Sequence, residues 1–439
     1  MLPDVALLRI FDFYIMDEDR VEAWHTLVHV CREWRIVVFG SPRRLNLQLL
    51  CTASSSIGTR GKLDAWPLLP IVVRVDGYEN WRTDNIVAAL EHKDRVHQLR
   101  FRDLPSWLLE AVLANLKQPF PALTDLELVS EDETIVVNPD LFLGGSAPSL
   151  RSLLLDYVPF PELPKLLLST VHLADLRLHN ISHSGYISSE AMVTALSTLT
   201  RLKRLWLEFE SPIQQERKSR RRLPTRTLLP VLTKLAFTGV CEYLEDLVAQ
   251  LDPSLLYKLD VTFFHQPIID TPELAHFITR TPKFRAHDEA RVIFFDSSVS
   301  VASETFDQRL HLEILCELPN QLLSLAQVCS SSFPQVLISG VKRLYIDTGY
   351  WRRGWQGGNQ WLDILRPFTG VNGLYVSPEC TPHIAFSLQE LVGERGLEIL
   401  PALQTLFLQE TLPLGHVQDA IGRFVAARQL SGHPVAVSL

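Results

Sequence analysis

The sequence predicts an α/β chain: three short helices, then an open-ended array of parallel strands alternating with outer helices. Leucine supplies 74 of the 439 residues, and much of it falls in one recurring phrase, L-x-x-L-x-L. Before residue 40 the apolar residues follow a different, helical spacing. The length is a third clue, because a single core stops growing near ~250–300 residues. Stacked units escape that limit, since each packs only on its neighbours.

The first helix follows Pro3, a residue suited to a first helical turn, and carries Leu7, Ile10, Phe11 and Tyr14 on one face. Trp24, Leu27, Val28 and Cys31 outline a second helix, and Trp34, Val37 and Val38 a third. Gly40-Ser41-Pro42 ends the block. Three such helices make a small core that gains from a partner.

The phrase then starts at Val96/Leu99/Phe101. It recurs at Leu123/Leu126/Leu128, Leu150/Leu153/Leu155, Leu173/Leu176/Leu178 and Leu202/Leu205/Leu207. Softer copies are Leu232/Leu235/Phe237 and Leu256/Leu259/Val261, and it returns at Val341/Leu344/Ile346, Val371/Leu374/Val376 and Leu403/Leu406/Leu408. Successive starts from Val96 to Leu256 lie 23 to 30 residues apart. The 85-residue gap from Leu256 to Val341 has room for about three more units, with candidate strands at 291–295 and 310–314. Helices are expected between strands at 83–90, 106–116, 188–199, 242–251, 272–279, 321–329, 360–365 and 384–391.

A strand and a helix every ~20–30 residues is the period of leucine-rich repeats. Strand leucines point inward by the period-2 rule and the helices form the outer layer. The expected fold is therefore α/β, an irregular leucine-rich-repeat solenoid after a three-helix block. A doubly wound sheet with chance leucine spacing is disfavoured by nine or ten copies in register. The polar ladder of regular repeats is missing, with Glu131, Val158, Ile181, Glu210 and Val240 at the equivalent positions. Stretches 130–148, 211–227 and 297–308 read as longer loops. Helix 415–430, with Val417, Ile421, Phe424, Val425 and Arg428 on one face, reads as the cap of an open end. The expected divisions are 1–40 for the helical block, 41–70 for a linker leading into the array, 71–412 for the array and 413–439 for the cap and tail.

The formal charge of −8 argues against broad nucleic-acid binding, which needs a basic face. The cysteines, Cys31, Cys51, Cys241, Cys316, Cys329 and Cys380, contain no C-x-x-C pair and read as free thiols of a reducing compartment. No apolar run reaches the ~18 residues of a membrane span, and Met1-Leu2-Pro3-Asp4 lacks the marks of a signal peptide. A cytoplasmic or nuclear protein, or one found in both, is expected. No nucleophile elbow, P-loop, dinucleotide fingerprint or H-E-x-x-H motif occurs, so no catalytic, cofactor-binding or metal-binding residue is assigned and no enzyme is expected. His179 and His183 are spaced i,i+4 at a strand exit without a third ligand, a weak metal signal.

Residues L-P-D-V-A-L-L-R-I-F and W-H-T-L-V-H-V-C-R-E-W-R resemble the F-box. The matching positions are Leu2, Pro3, Ile10, Phe11, Val30, Cys31, Arg32, Trp34 and Arg35. The wider chain is similar to a large set of F-box proteins of mushroom-forming fungi. W-H-T-L-V-H-V-C-R-E-W-R-I-V-V-F-G-S-P-R-R-L, F-L-G-G-S-A-P-S-L-R-S-L-L-L-D and F-V-A-A-R-Q-L-S-G-H-P-V-A-V-S carry that similarity. The resemblance implies the substrate-recognition subunit of an SCF-type cullin–RING ubiquitin ligase. Leu2, Pro3, Ile10, Phe11, Val30, Cys31 and Trp34 would bind a Skp-type adaptor, and the repeats a protein substrate. The alternative is a leucine-rich-repeat scaffold outside ubiquitination, with the helices as an N-terminal cap.

In such an array the residue between the last two leucines of each phrase faces the concave side. The column reads Arg100, Glu127, Leu154, Arg177, Trp206, Ala236, Asp260, Tyr345, Tyr375 and Phe407, turning aromatic toward the C-terminus. The nearby segment G-Y-W-R-R-G-W-Q-G-G adds aromatic and arginine residues, the types enriched at binding hot spots. Trp206, Tyr345, Trp351, Arg353, Trp355, Tyr375 and Phe407 are the expected substrate contacts, against the reading that the tryptophans merely anchor a loop. The basic run at 217–222 is expected to be a solvated loop, with nuclear import the competing reading.

Overall fold

The ten copies of the phrase fix thirty side chains between Val96 and Leu408, and each is at most 5% exposed. The reason recurs in most copies. The amide of the first phrase residue closes a tight turn, as when Leu123 donates to Phe120 O at 3.1 Å and Leu173 to Thr170 O at 2.9 Å. The chain then runs out as a strand whose alternate leucines enter the core. Burial of each such leucine contributes about 1.5–3 kcal/mol.

The computed structural model describes residues 2–15, 23–52, 59–76, 83–131, 142–212, 226–284, 288–305, 308–349, 360–391, 397–408 and 415–438. They form two compact units, Met1–Ile187 and Ser188–Leu439. Among the described residues no helix is long and apolar enough to cross a membrane.

The first unit begins with α1 (Asp4–Ile15), α2 (Trp24–Val30) and α3 (Arg32–Gly40). It continues through β1 (Leu49–Thr52), α4 (Thr59–Ala65), β2 (Ile71–Asp76), α5 (Thr83–Leu90), β3 (Val96–Leu104), α6 (Ser106–Asn115), β4 (Asp125–Ser130), β5 (Ser152–Asp156), α7 (Leu163–Leu167) and β6 (Asp175–Ile181). Strands β1 to β6 pair in sequence order and all in parallel. Register aligns Leu99, Leu126, Leu153 and Leu176 in one buried row. The stretch 41–70 contributes the strand β1, which pairs with β2. Three strands end on a left-handed residue two positions past the last phrase residue: Asp103, Tyr157 and Asn180. Asn180 Nδ2 donates to Asp156 Oδ1 at 2.8 Å, tying two of these exits together.

The second unit runs α8 (Ser189–Leu196), β7 (Arg204–Phe209), β8 (Thr227–Leu228), β9 (Lys234–Gly239), α9 (Cys241–Gln250), β10 (Leu251–Asp252), β11 (Lys258–Phe264) and α10 (Pro272–Arg280). It goes on through β12 (Glu289–Phe294), β13 (Ser298–Glu304), β14 (Arg309–Leu315), α11 (Leu318–Ser331), α12 (Gln335–Gly340) and β15 (Arg343–Thr348). It closes with α13 (Gln360–Leu365), β16 (Gly373–Val376), α14 (Thr381–Gln389), β17 (Thr405–Leu408), α15 (Gly415–Leu430) and β18 (Ala436–Ser438). Strands β8 and β10 form a small parallel pair of their own.

The main sheet of this unit departs from a simple array. Its order is β7-β9-β11-β14-β13-β12-β15-β16-β17-β18. β12, β13 and β14 form an antiparallel meander inserted between β11 and β15. The gap after Leu256 therefore holds both expected strands, β14 parallel to β11 and β12 parallel to β15, with the antiparallel β13 between them. Stretch 297–308, expected as a loop, is largely the strand β13. Its small residues read as loop composition, yet Val299 and Val301 alternate into the core. Serines satisfy their own groups there: Ser303 Oγ donates to Glu289 O and Ser298 Oγ to Glu313 Oε1, both at 2.7 Å.

Two buried polar contacts lock the outer helices. Glu245 of α9 is 1% exposed and accepts from the amides of Glu273 and Leu274, at 2.9 and 2.8 Å, at the start of α10. A neighbouring helix thus supplies the cap that the first turn of α10 needs. Arg428 of α15 is 1% exposed and donates to the carbonyls of Pro401 and Leu403, both at 3.2 Å. The residue expected on the cap's apolar face is in effect a polar pin. Arg428→Ala should lower stability by about 1.5–3 kcal/mol, as for charge-assisted hydrogen bonds, measured by urea unfolding.

Candidate functional site

Helix α1 has two apolar faces. Leu7, Leu8 and Phe11 are buried, and Phe11, at 0% exposure, meets the Trp34 ring edge-on with centroids 4.8 Å apart. On the opposite side Val5, Ile10 and Phe13 lie exposed, Phe13 at 80%, and Leu2 just before the helix is exposed as well. A single helix in water keeps its apolar residues on one stripe. An apolar second stripe is surface in want of a cover.

The remaining expected contacts sort by geometry. Pro3 is exposed and its carbonyl accepts from Ala6 and Leu7 at 2.9 and 3.1 Å, which starts α1. Val30 and Cys31 are exposed at the α2–α3 junction, where Cys31 Sγ accepts from the Trp34 amide at 3.4 Å and caps α3. Trp34 is half-buried against Phe11. Phe11 lies in the core of the block, not on its surface.

The helical block is tied to the first strand through Trp24. This side chain is 0% exposed, and its Nε1 donates to Gln48 O at 2.8 Å. Trp66 and Phe39 meet it edge-on at 5.1 and 5.9 Å.

Each unit has an open sheet face. In the first unit, register aligns Thr52, Arg74, Arg100, Glu127, Leu154 and Arg177 across β1 to β6. Charge dominates this row. Arg102 Nε lies 2.6 Å from Glu127 Oε1, which holds the guanidinium above its ordinary pKa, and Arg177 lies 2.8 Å from Asp175.

In the second unit the central row is Trp206, Ala236, Asp260, His311, Ala302, Arg291, Tyr345, Tyr375 and Phe407. Tyr345, Tyr375 and Phe407 stack with centroids 4.4 and 4.2 Å apart and planes within 15° and 2°. Arg291 closes the stack from the other side, 5.4 Å from the Tyr345 ring centroid. Gly373 makes room for it: a Cβ there would stand 3.3 Å from Tyr375 Cε2. Burial and Glu289 push the Tyr345 phenol above its ordinary value. Trp206 is 42% exposed at the far end of the row. The structure thus brings Tyr345, Tyr375 and Phe407 together and leaves Trp206 seven strands from Tyr375. Trp351, Arg353, Trp355 and the run 217–222 lie outside the described residues.

Sequence reasoning missed Arg291 and His311, because the meander's strand order hides their place in the row. It also missed the row one pleat earlier. There Arg204, Lys234, Lys258 and Arg309 are direct register partners on β7, β9, β11 and β14. The signal was present: each is the basic residue immediately before an inward leucine.

No group of three or more potential metal ligands occurs among the described residues. All six cysteines are free. Burial pushes Cys241, Cys329 and Cys380 up to about 12, and Cys316 up to about 11. Cys31 alone is exposed. Iodoacetamide on the native protein should therefore label Cys31 quickly and the other five only on unfolding, checked by peptide mass mapping. The raised thiols also set an alkaline limit. Unfolded thiols lose protons above their ordinary value of 9.0 while the folded ones keep them to about 12, so stability falls as pH rises through that window.

No protein-family model matches the chain, and no curated protein matches it.

Proposed function

We propose that this chain is the substrate-recognition subunit of an SCF-type cullin–RING ubiquitin ligase. In this reading α1 to α3 are the F-box, and the strands of each unit are irregular leucine-rich repeats that hold a protein substrate. The observation that carries it is the second apolar face of α1, with Val5, Ile10 and Phe13 exposed opposite the buried Leu7, Leu8 and Phe11. Leu2, Pro3, Ile10, Val30, Cys31 and Trp34 supply the adaptor contacts, and Phe11 supports that surface from beneath. Interfaces concentrate their energy in a few such apolar anchors.

The chain itself performs no bond chemistry in this reading. It raises the effective concentration of a substrate lysine at the ubiquitin-charged enzyme. The substrate would meet the open face of the second unit, where Arg291, Tyr345, Tyr375 and Phe407 form a stacked platform and Trp206 a separate anchor.

The test is co-purification of tagged chain with a Skp-type adaptor. Capture supports the ligase reading; its absence supports a leucine-rich-repeat scaffold outside ubiquitination. Tyr345→Ala/Tyr375→Ala should leave adaptor capture unchanged while lowering substrate recovery, read by mass spectrometry after proteasome inhibition. Loss of the adaptor together with the substrate would contradict the division of roles.

A further inference from the structure

On the open face of the second unit, Arg204, Lys234, Lys258 and Arg309 stand side by side on four adjacent strands. Like charges directly opposite one another destabilise a sheet. One carboxylate answers two of them: Asp260 lies 3.5 Å from Lys258 and 2.9 Å from Arg309. Lys234 makes no ion pair among the described residues. Beyond Arg309 the row reaches Glu289 on β12. Arg343 follows on β15, already paired with Glu289 and Asp288. Two pleats toward the strand exits the register row is Glu208, Thr238, Thr262 and Glu313. Between the basic and acidic rows runs the central row, with the exposed Trp206 beside the small Ala236.

We propose that this basic row is the docking line for an acidic amphipathic helix of the substrate, laid across β7, β9, β11 and β14. The inference rests on the receptor reading above and names its substrate class. Charge complementarity selects the acid: an excess of cations at one row, in a chain of net charge −8. Spacing selects the helix. Neighbouring strands are about 4.8 Å apart, so the four cations span about 14 Å. Acidic residues at i, i+3, i+7 and i+10 of a helix span about 15 Å at nearly the same interval. An extended segment repeats a side every ~6.7 Å and falls out of step. Apolar residues beside the acidic stripe would meet Trp206 and Ala236. The acidic row with Glu208 and Glu313 disfavours nucleic acid, whose phosphates it would repel.

The test uses the full chain and a fluorescein-labelled helical peptide of about 15 residues. It carries Glu at those four positions, Leu beside them and Ala elsewhere. Anisotropy should show saturable binding that weakens from about 50 to about 200 mM salt. Lys234→Glu/Lys258→Glu should lower affinity about tenfold or more, as for reversal of interfacial charge. Lys234→Glu alone should unfold at no lower temperature than the parent, because it relieves repulsion between Arg204 and Lys258 without touching the Lys258–Asp260 pair; Lys234→Gln serves as a milder second variant. Trp206→Ala should weaken the Leu-bearing peptide more than an all-Ala version. Equal binding of a Gln-for-Glu peptide, unchanged binding by the charge variants, or tighter binding of a single-stranded oligonucleotide or a phosphoserine peptide would overturn the assignment. Adaptor capture is read in the same preparations. Adaptor without peptide defeats this inference alone, and peptide without adaptor defeats the ligase reading alone.

Discussion

Trp24→Ala should destabilise the first unit by about 3–5 kcal/mol, the range for deleting a large buried aromatic. The indole is fully buried and its Nε1 donates to the Gln48 carbonyl just before β1. Removal leaves a cavity between Phe39 and Trp66 and takes the donor from the half-buried Gln48 carbonyl. The loss joins two consequences: the helical block frees itself from the sheet, and α1 loses the support that holds its outer face in place. Urea unfolding followed by circular dichroism gives the magnitude. Trp24→Phe, which keeps most of the volume but not the donor, should cost about 1–3 kcal/mol.

Glu245→Ala should destabilise the second unit by about 3 kcal/mol, since it removes two hydrogen bonds to a charged acceptor at about 1.5–3 kcal/mol each, partly offset by water entry. The amides of Glu273 and Leu274 lose their acceptor, and Leu274 is fully buried. Glu245→Gln keeps one acceptor oxygen and should recover part of the loss. Hydrogen exchange at Leu274 localises the effect; protection there equal to that of the parent protein would contradict the capping role.

These two sites show what was legible in the sequence. Strand leucines such as Leu126, Leu153 and Leu176 could be placed because a period of two is local, and a buried row in register is its direct result. The α15 span and the helices at 83–90 and 360–365 were legible for the same reason, through helical spacing. The meander was not. β12 sits beside β15 and β14 beside β11, a pairing decided by long-range contacts that no local pattern records. Glu245 was equally hidden, because its partners lie 28 and 29 residues away on another helix.

The candidate site divides in the same way. The column Tyr345, Tyr375, Phe407 followed from the phrase, and the rings do stack. Arg291 joins them only through the meander. In the helical block, Ile10 and Phe11 are neighbours of similar character, yet one is 49% exposed and the other 0%. Composition cannot separate a core residue from a contact residue when both are apolar; only the packing of α1 against α3 does.

The receptor reading is tested most directly by titrating a purified Skp-type adaptor into the full chain by calorimetry. The parent should bind, and Ile10→Ala/Phe13→Ala should lose about a thousandfold in affinity, as two apolar hot spots at ~2 kcal/mol each would give. Both residues are exposed, so thermal unfolding should be nearly unchanged. Phe386→Ala, at an exposed position of α14, should bind as the parent does. No heat of binding with the parent, or equal affinity for parent and the Ile10/Phe13 variant, would contradict the role given to the N-terminal helices.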